Sequence, residues 1–453
     1  MRRLDRQGDI ISGLMRSERP TVPGYLMDTT SADRFYGGAN IDPITDFTPS
    51  VGDSQVNVPK QRRHIKRDTK SCVVRLRRCT SMVQCNPAAA PPPRKVQTVP
   101  MLDKCAGILT NRRKMMQHVI VSGVRQATLV ETADLIPVEN WVVVKVHAAP
   151  MCTEYKTFLA GTPNPMIGHE AAGEVVAVAQ PGRVNLGDRV VAMPLYGCGR
   201  CPVCRSGDYI HCQQQPDFIA ATRQTNGRST MAHYLLKQDW LLLPIPDGVS
   251  YERAALACCG IGPSFGAMQS LRVSAFDTIL ITGLGPVGLG AIVNARFRGA
   301  RIIAVESVPW RAARARTMGA ATVIDPCDKS ALAQIMQLTD GRGVDCALDC
   351  SGNVQAERLC MDATRPKGKV AFVGECNDEL TVRISPDMIR KGLTLVGSWH
   401  YNLNDYPKIM HVIQESPLID LLISHVLPMR EIQAAFELSA SHETAKIILQ
   451  PWP

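Results

Sequence analysis

The sequence holds no apolar run near the ~18 residues that a membrane-spanning helix needs. Its opening residues, Met1-Arg2-Arg3-Leu4-Asp5, lead into no apolar core of the kind a secretory signal carries. Neither a membrane partner nor export is expected, and the expected location is the cytoplasm. Residues 1–115 lack any sustained period of 2 or 3.6, so they present no face for a strand or helix to bury. They contain Ala88-Ala89-Ala90-Pro91-Pro92-Pro93 and a basic stretch, Arg62-Arg63-His64-Ile65-Lys66-Arg67. This segment reads as a disordered extension, with Met115 or Met116 a natural start for the body of the chain. A polyanion-binding tail is the alternative. The basic stretch has no interleaved aromatics for bases to stack on, so nucleic acid is not an expected partner. The rest of the chain lacks a charge excess. Of 51 Lys+Arg and 41 Asp+Glu, residues 1–115 hold 21 and 10, which leaves the body near neutral. Reading the whole chain as basic would mislead.

At 453 residues the chain is long enough for two or three domains, and 45% hydrophobic with 20% charged residues is ordinary for a soluble globular protein. Its 16 cysteines, without secretory signs, fit metal thiolates in a reducing compartment better than a disulfide scaffold.

The most informative stretch runs from Thr278 to Glu306. Thr278-Ile279-Leu280-Ile281-Thr282 is short, apolar and rich in β-branched residues, which predicts a buried parallel strand. Gly283-Leu284-Gly285-Pro286-Val287-Gly288 follows at once. Val287 to Arg298 then shows an apolar helical face and stops at Gly299. A second strand, Arg301-Ile302-Ile303-Ala304-Val305, ends in Glu306. This is G-x-G-x-x-G in a strand–turn–helix setting, the fingerprint of dinucleotide binding. Gly283 makes the tight turn, Gly285 lets a pyrophosphate approach the backbone, and Gly288 lets helix and strand pack closely. Pro286 and Val287 are candidate cofactor contacts where the helix begins, and its free N–H groups and positive dipole end face the phosphates. Glu306 stands where a carboxylate hydrogen-bonds ribose hydroxyls and repels a 2′-phosphate, which favours NAD over NADP. Further candidate contacts are Ser351 in Asp349-Cys350-Ser351-Gly352 and Val373 in Val373-Gly374, both at strand ends on the ligand-binding edge. Arg311, five residues past Glu306, lies either against the adenine or on a solvated helix face.

Strand-like runs at 119–121, 141–146, 173–178 and 188–192, punctuated by Gly and Pro, predict a β-rich domain. Helix and strand alternate from Ala254. Strands expected at 279–282, 301–305, 321–324, 344–349, 370–373 and 393–396 make a six-stranded doubly wound α/β sheet. After Gly397 come short mixed elements and a strand at 446–449 that packs back on the β-rich domain. The expected division is 1–115 as extension, 116–260 with 398–453 as one domain, and 261–397 as the dinucleotide-binding Rossmann domain.

Cys198-Gly-Arg-Cys201-Pro-Val-Cys204 is followed by Cys212. Four thiolates at this spacing suit one tetrahedral Zn²⁺ in a closed, structural site. A second set is dispersed: Cys152, then Gly168-His169-Glu170, then Cys258-Cys259-Gly260. Two thiolates and one imidazole leave a fourth position open, the pattern of a catalytic zinc. Taken singly, a buried Cys is more often a small core residue, so the reading rests on the joint occurrence.

That ordered set over 116–453 resembles the medium-chain, zinc-dependent alcohol dehydrogenase family. The resemblance implies a GroES-like catalytic domain beside the Rossmann domain. It implies Cys152, His169 and Cys259 as catalytic zinc ligands, with Cys259 preferred to Cys258. It implies Cys198, Cys201, Cys204 and Cys212 on the structural zinc. It also places Glu170 behind the catalytic zinc near a cation, here Lys446. One departure stands out: Cys152-Thr153-Glu154-Tyr155-Lys156 is one residue shorter than the family pattern and lacks its proton-passing His. Thr153 is the candidate hydroxyl at the substrate oxygen. Tyr155, Lys156, a ribose hydroxyl or water could carry the proton onward. Trp399, His400 and Tyr401 follow the last strand and line either the substrate cleft or a subunit contact.

The expected activity is hydride transfer from an alcohol or polyol to NAD, with two zincs per chain, in a homo-oligomer, dimer or tetramer. The alternatives are another hydroxyl substrate, such as threonine or a formaldehyde–thiol adduct, and a non-catalytic NAD- and zinc-binding regulator.

Overall fold

The extension expected at 1–115 lies, apart from Met115, outside the residues that the computed structural model describes, 115–452. The chain begins there with a hairpin, β1 (Met115–Gly123) against β2 (Gln126–Ala133). A seven-stranded sheet comes next, built on β3 (Trp141–Pro150), β4 (Ala171–Ala177), β5 (Arg189–Ala192), β6 (Tyr234–Gln238) and β7 (Leu242–Pro244). These pair antiparallel, β3 with β4 and β6, and β5 with β4 and β7.

The middle of the chain forms six strands: β8 (Thr278–Thr282), β9 (Arg301–Val305), β10 (Thr322–Ile324), β11 (Val344–Asp349), β12 (Thr364–Phe372) and β13 (Thr394–Gly397). All their pairings are parallel, in the order β10-β9-β8-β11-β12-β13. This is the doubly wound arrangement, and the order reverses between β8 and β11. Every residue of β8 is buried. With helices on both faces, each such Ile or Leu contributes roughly 1.5–3 kcal/mol. The chain then returns to the first sheet through β14 (Ile423–Pro428) and β15 (Lys446–Gln450), and β15 pairs with β3.

The six parallel strands match expectation within a few residues, except that β12 begins six residues before the expected 370. The sequence pattern does not predict β2, β6, β7 or β14. β2 is a polar edge partner whose residues are half-buried or exposed. β6 buries Lys237 and Gln238, which breaks the apolar pattern.

The nucleotide helix, Pro286–Phe297, packs on the helix Gly262–Leu271. Buried Asn294 secures the contact, its Nδ2 donating to the Ile261 carbonyl at 3.0 Å and to Ser264 Oγ at 2.9 Å. A Cβ on Gly290 would stand 1.8 Å from the Gly260 carbonyl oxygen. That closeness presses the nucleotide helix against the residue that follows Cys259.

Candidate active site and zinc sites

Cys152 follows the end of β3, held by the Met151 N–H donating to the Ile447 carbonyl at 2.8 Å. His169 and Glu170 immediately precede β4, and Cys259 sits in the turn between the helices Tyr251–Ala255 and Gly262–Leu271. Three separate segments thus converge. The ligand atoms of Cys152, His169, Glu170 and Cys259 all lie within 4.8 Å of one another. Cys259 Sγ is 3.4 Å from His169 Nε2. Tetrahedral zinc with ordinary Zn–S and Zn–N bonds would separate these atoms by about 3.6 Å, so the donors fit the ion. Cys258, by contrast, points into the core, its Sγ donating to the Ala192 carbonyl at 3.6 Å.

The charges around this cluster favour a cation. A hydrogen bond from Cys259 holds the Cys152 thiol well below its ordinary pKa, and the same contact pushes Cys259 well above. Burial opposes charge on His169, but Glu154 and Cys152 raise its pKa well above the ordinary value. Such a site binds metal in exchange for protons. His169 Nδ1 lies 2.8 Å from Glu154 Oε1 as an ion pair, while Glu154 Oε2 accepts from the Cys152 N–H at 2.7 Å. Glu154 therefore turns His169 Nε2 toward the cluster and fixes the loop that carries Cys152. The sequence pattern assigns no role to Glu154. Its signal is the acid two residues past Cys152, obscured because the segment is one residue short.

Glu170 is fully buried, ion-paired with Lys446, and its Oε2 accepts from the Cys259 N–H at 3.0 Å. Lys446 Nζ also donates to the Met151 carbonyl at 3.1 Å. Burial opposes the Lys446 charge, but Cys152 and Glu170 hold its pKa above the ordinary value. Half-buried Thr153 precedes the helix Glu154–Ala160 beside the cluster. Tyr155 meets His442 edge-to-face at 5.3 Å, so an imidazole does approach this segment, from the other end of the sequence.

Cys198, Cys201, Cys204 and Cys212 form a second cluster, their Sγ atoms all within 4.8 Å of one another. Sγ separations of 3.9 Å (Cys198–Cys204) and 4.0 Å (Cys201–Cys212) compare with about 3.8 Å for a ZnS₄ tetrahedron. Backbone N–H groups of Cys198, Cys201 and Gln214 donate to these sulfurs at 3.2–3.4 Å. Burial raises the Cys198 thiol, but amides of Arg200 and Cys201 outweigh it and bring it to about 6. All the described cysteines are free, so nothing competes for these sulfurs.

The glycine turn leaves β8 at the switch point. Gly283 has φ +76° and lies against Ser351, where a Cβ would come within 2.6 Å of the Ser351 Cβ. A Cβ on Gly288 would stand 1.9 Å from the Gly283 carbonyl oxygen. At Gly285 only Arg311 Nη1 lies within 4 Å, at 3.8 Å. Gly283 and Gly288 are demanded by the protein's own packing; Gly285 faces open space, the room a pyrophosphate needs. Pro286 takes the first helical position, with Val287 next. Glu306 is buried, and its two oxygens accept from the Leu284 N–H at 2.6 Å and the Val308 N–H at 2.8 Å. A carboxylate has lone pairs to spare beyond these two bonds.

Arg311 is half-buried over this turn and not on a solvated face, and its Nε is buried without a hydrogen-bond partner among the described residues. An unpartnered buried guanidinium nitrogen beside a helix N-terminus fits an anionic ligand. Ser351 shapes the turn, and its Oγ donates to Asp349 at 2.6 Å. Val373 is held at the end of β12 by its N–H donating to the Asp349 carbonyl at 2.9 Å.

A GroES-like sheet and a six-stranded Rossmann sheet, with one closed and one open cluster of zinc donors, define a zinc-dependent oxidoreductase of the dehydrogenase type. Comparison with known proteins agrees. Residues 138–247 match the family described as alcohol dehydrogenase GroES-like domain, and residues 286–415 that described as zinc-binding dehydrogenase. The chain is 31% identical over 353 residues to the zinc-type alcohol dehydrogenase-like protein YphC of Escherichia coli, covering 74% of this chain and 99% of that one. It is 31% identical over 362 residues to a sorbitol dehydrogenase of Bacillus subtilis, again covering 74% and 99%. The solved alcohol dehydrogenase of Thermus sp. ATN1 superposes with a TM-score of 0.68 at 25% identity, over 74% of this chain and all of that one. The chain belongs to the zinc-binding alcohol dehydrogenase family.

Proposed function

We propose that this protein oxidises an alcohol or polyol with NAD. Cys152, His169 and Cys259 hold the catalytic zinc, and Cys198, Cys201, Cys204 and Cys212 hold a structural one. In this reading residues 116–260 with 398–453 form the zinc-binding domain and 261–397 the dinucleotide domain. The observation that carries it is the convergence of Cys152, His169, Glu170 and Cys259 within 4.8 Å, with Cys259 on a turn pressed against the nucleotide helix. Polyol specificities among the relatives support the substrate class: sorbitol dehydrogenase, D-arabitol-phosphate dehydrogenase and L-idonate 5-dehydrogenase.

A zinc held by Cys152, His169 and Cys259 would supply Lewis acidity, and a bound dinucleotide would supply the hydride-acceptor chemistry. The chain's own residues do the rest. Glu154 orients His169, and Lys446 compensates the charge of Glu170. The Thr153 hydroxyl accepts the proton of the substrate hydroxyl as it gives its own to Tyr155, Lys156, a ribose hydroxyl or water. Gly283, Gly285 and Gly288 with Pro286 and Val287 form the pyrophosphate cradle, flanked by Arg311, Ser351 and Val373. Glu306 receives the ribose hydroxyls, and its charge disfavours a 2′-phosphate.

The test is a panel of alcohols and polyols, with L-threonine included, on the zinc-loaded full chain with NAD or NADP, followed at the NADH absorbance. NADH formation from a polyol is expected, with NAD preferred. No turnover of any alcohol or polyol by protein carrying two zincs would overturn the proposal. Glu306→Ala is expected to lower kcat/KM for NAD by about 10-fold and to narrow the preference against NADP.

A further inference from the structure

Among the described residues, His400 is a buried, unpartnered side chain that the proposed mechanism leaves unused. It is only 5% exposed, and neither Nδ1 nor Nε2 has a hydrogen-bond partner. Its backbone is left-handed, φ +67°, an uncommon state for a residue other than glycine and one that clusters at functional sites.

The surroundings hold it there. A Cβ on Gly266 would meet the His400 carbonyl oxygen at 2.5 Å, and one on Gly262 would meet Tyr401 Cε1 at 2.5 Å. Both glycines belong to the helix that begins just after Cys259, so His400 and Tyr401 are clamped against the segment that carries a zinc donor. The ring stacks on Tyr401 at 4.6 Å and 22° between planes, and Tyr401 is anchored by its hydroxyl donating to Met193 Sδ at 3.2 Å. The charges of His169 and Cys152 both act on the ring. Burial, and then His169, push its pKa down to about 3, so it is neutral at physiological pH. A neutral imidazole has one N–H donor and one acceptor nitrogen. Buried polar groups in folded proteins are almost always paired, so both nitrogens call for a partner that the described residues do not supply. A hydroxyl, itself donor and acceptor, is the matching group. The position follows the C-terminal end of β13, on the edge of the sheet where ligands bind.

We infer that His400 is a specificity-determining residue that receives a second hydroxyl of the substrate, adjacent to the carbon being oxidised, and so selects vicinal diols and polyols over monohydric alcohols. The inference rests on the dehydrogenase reading above. A monohydric alcohol of the same skeleton would leave the buried imidazole unpaired, and sites of that kind discriminate strongly.

The test compares butane-2,3-diol with butan-2-ol on the zinc-loaded full chain. Two quantities are measured: kcat/KM with NAD, and the dissociation constant of each compound in the presence of NADH. Wild type is expected to favour the diol by about tenfold or more in both, and His400→Leu to erase most of that ratio while kcat/KM for butan-2-ol stays within about threefold. His400→Gly, which accepts the left-handed backbone, carries the comparison if the leucine variant does not fold. An unchanged diol ratio in either folded variant, or no diol preference in wild type, would overturn the assignment. Diol-selective binding without turnover would sink the dehydrogenase reading while leaving His400 in place. Turnover without diol preference would sink His400 alone, and absence of both binding and turnover would sink both.

Discussion

Glu154 shows how much one side chain contributes at this site. One oxygen pairs with His169 and the other accepts the Cys152 N–H, so a single carboxylate positions two of the proposed zinc donors. Glu154→Gln keeps the size and loses the charge. Zinc affinity at the catalytic cluster, measured by chelator competition, is expected to fall about 10–100-fold. Cys152→Ser removes a donor outright. Metal analysis is expected to fall from two zincs to one, with NAD binding retained and turnover abolished. Retained turnover would show that Cys152 holds no catalytic metal.

At the scale of the element, the turn from β8 into the helix Pro286–Phe297 uses its glycines for different ends. Gly288→Ala would drive a methyl into the Gly283 carbonyl, 1.9 Å away. Overpacking of this kind costs about 1–3 kcal/mol or more, and thermal unfolding should show it. Gly285→Ala meets no backbone and only the tip of Arg311, at 3.8 Å. Its stability is expected to stay within about 0.5 kcal/mol of wild type. Its affinity for NAD, followed by fluorescence titration, is expected to drop about 10-fold, because the added methyl occupies the phosphate's approach. Equal stability loss in both variants would refute this division of roles.

The same turn was the part of the fold most legible in the sequence. Strand, glycines, helix and terminal acid are contiguous, and each is governed by local sterics. The four-cysteine loop was legible for the same reason. β6 and β7 were not, since they are short and β6 buries polar residues.

Across the whole molecule, Glu170 and Lys446 stand 276 residues apart and form an ion pair with no solvent exposure. The pair ties β15, at the far end of the chain, to the strand edge beside the zinc donors. Removing one member leaves the other buried without its counter-charge. Lys446→Met is therefore expected to cost about 3–5 kcal/mol in urea unfolding. A loss below about 1 kcal/mol, the range of exposed pairs, would show that the contact is not structurally important.

By itself, the sequence determined the kinds of donor, the spacing of the four-cysteine loop and the dinucleotide turn, because each is encoded within a few consecutive residues. The resemblance preferred Cys259 to Cys258, and the tertiary structure brings Cys259 to the donor cluster; only that structure decided that Glu154 reaches His169 and that His400 is buried with both nitrogens unpartnered among the described residues. Those outcomes depend on segments separated along the chain being pressed together, and no local pattern records that contact.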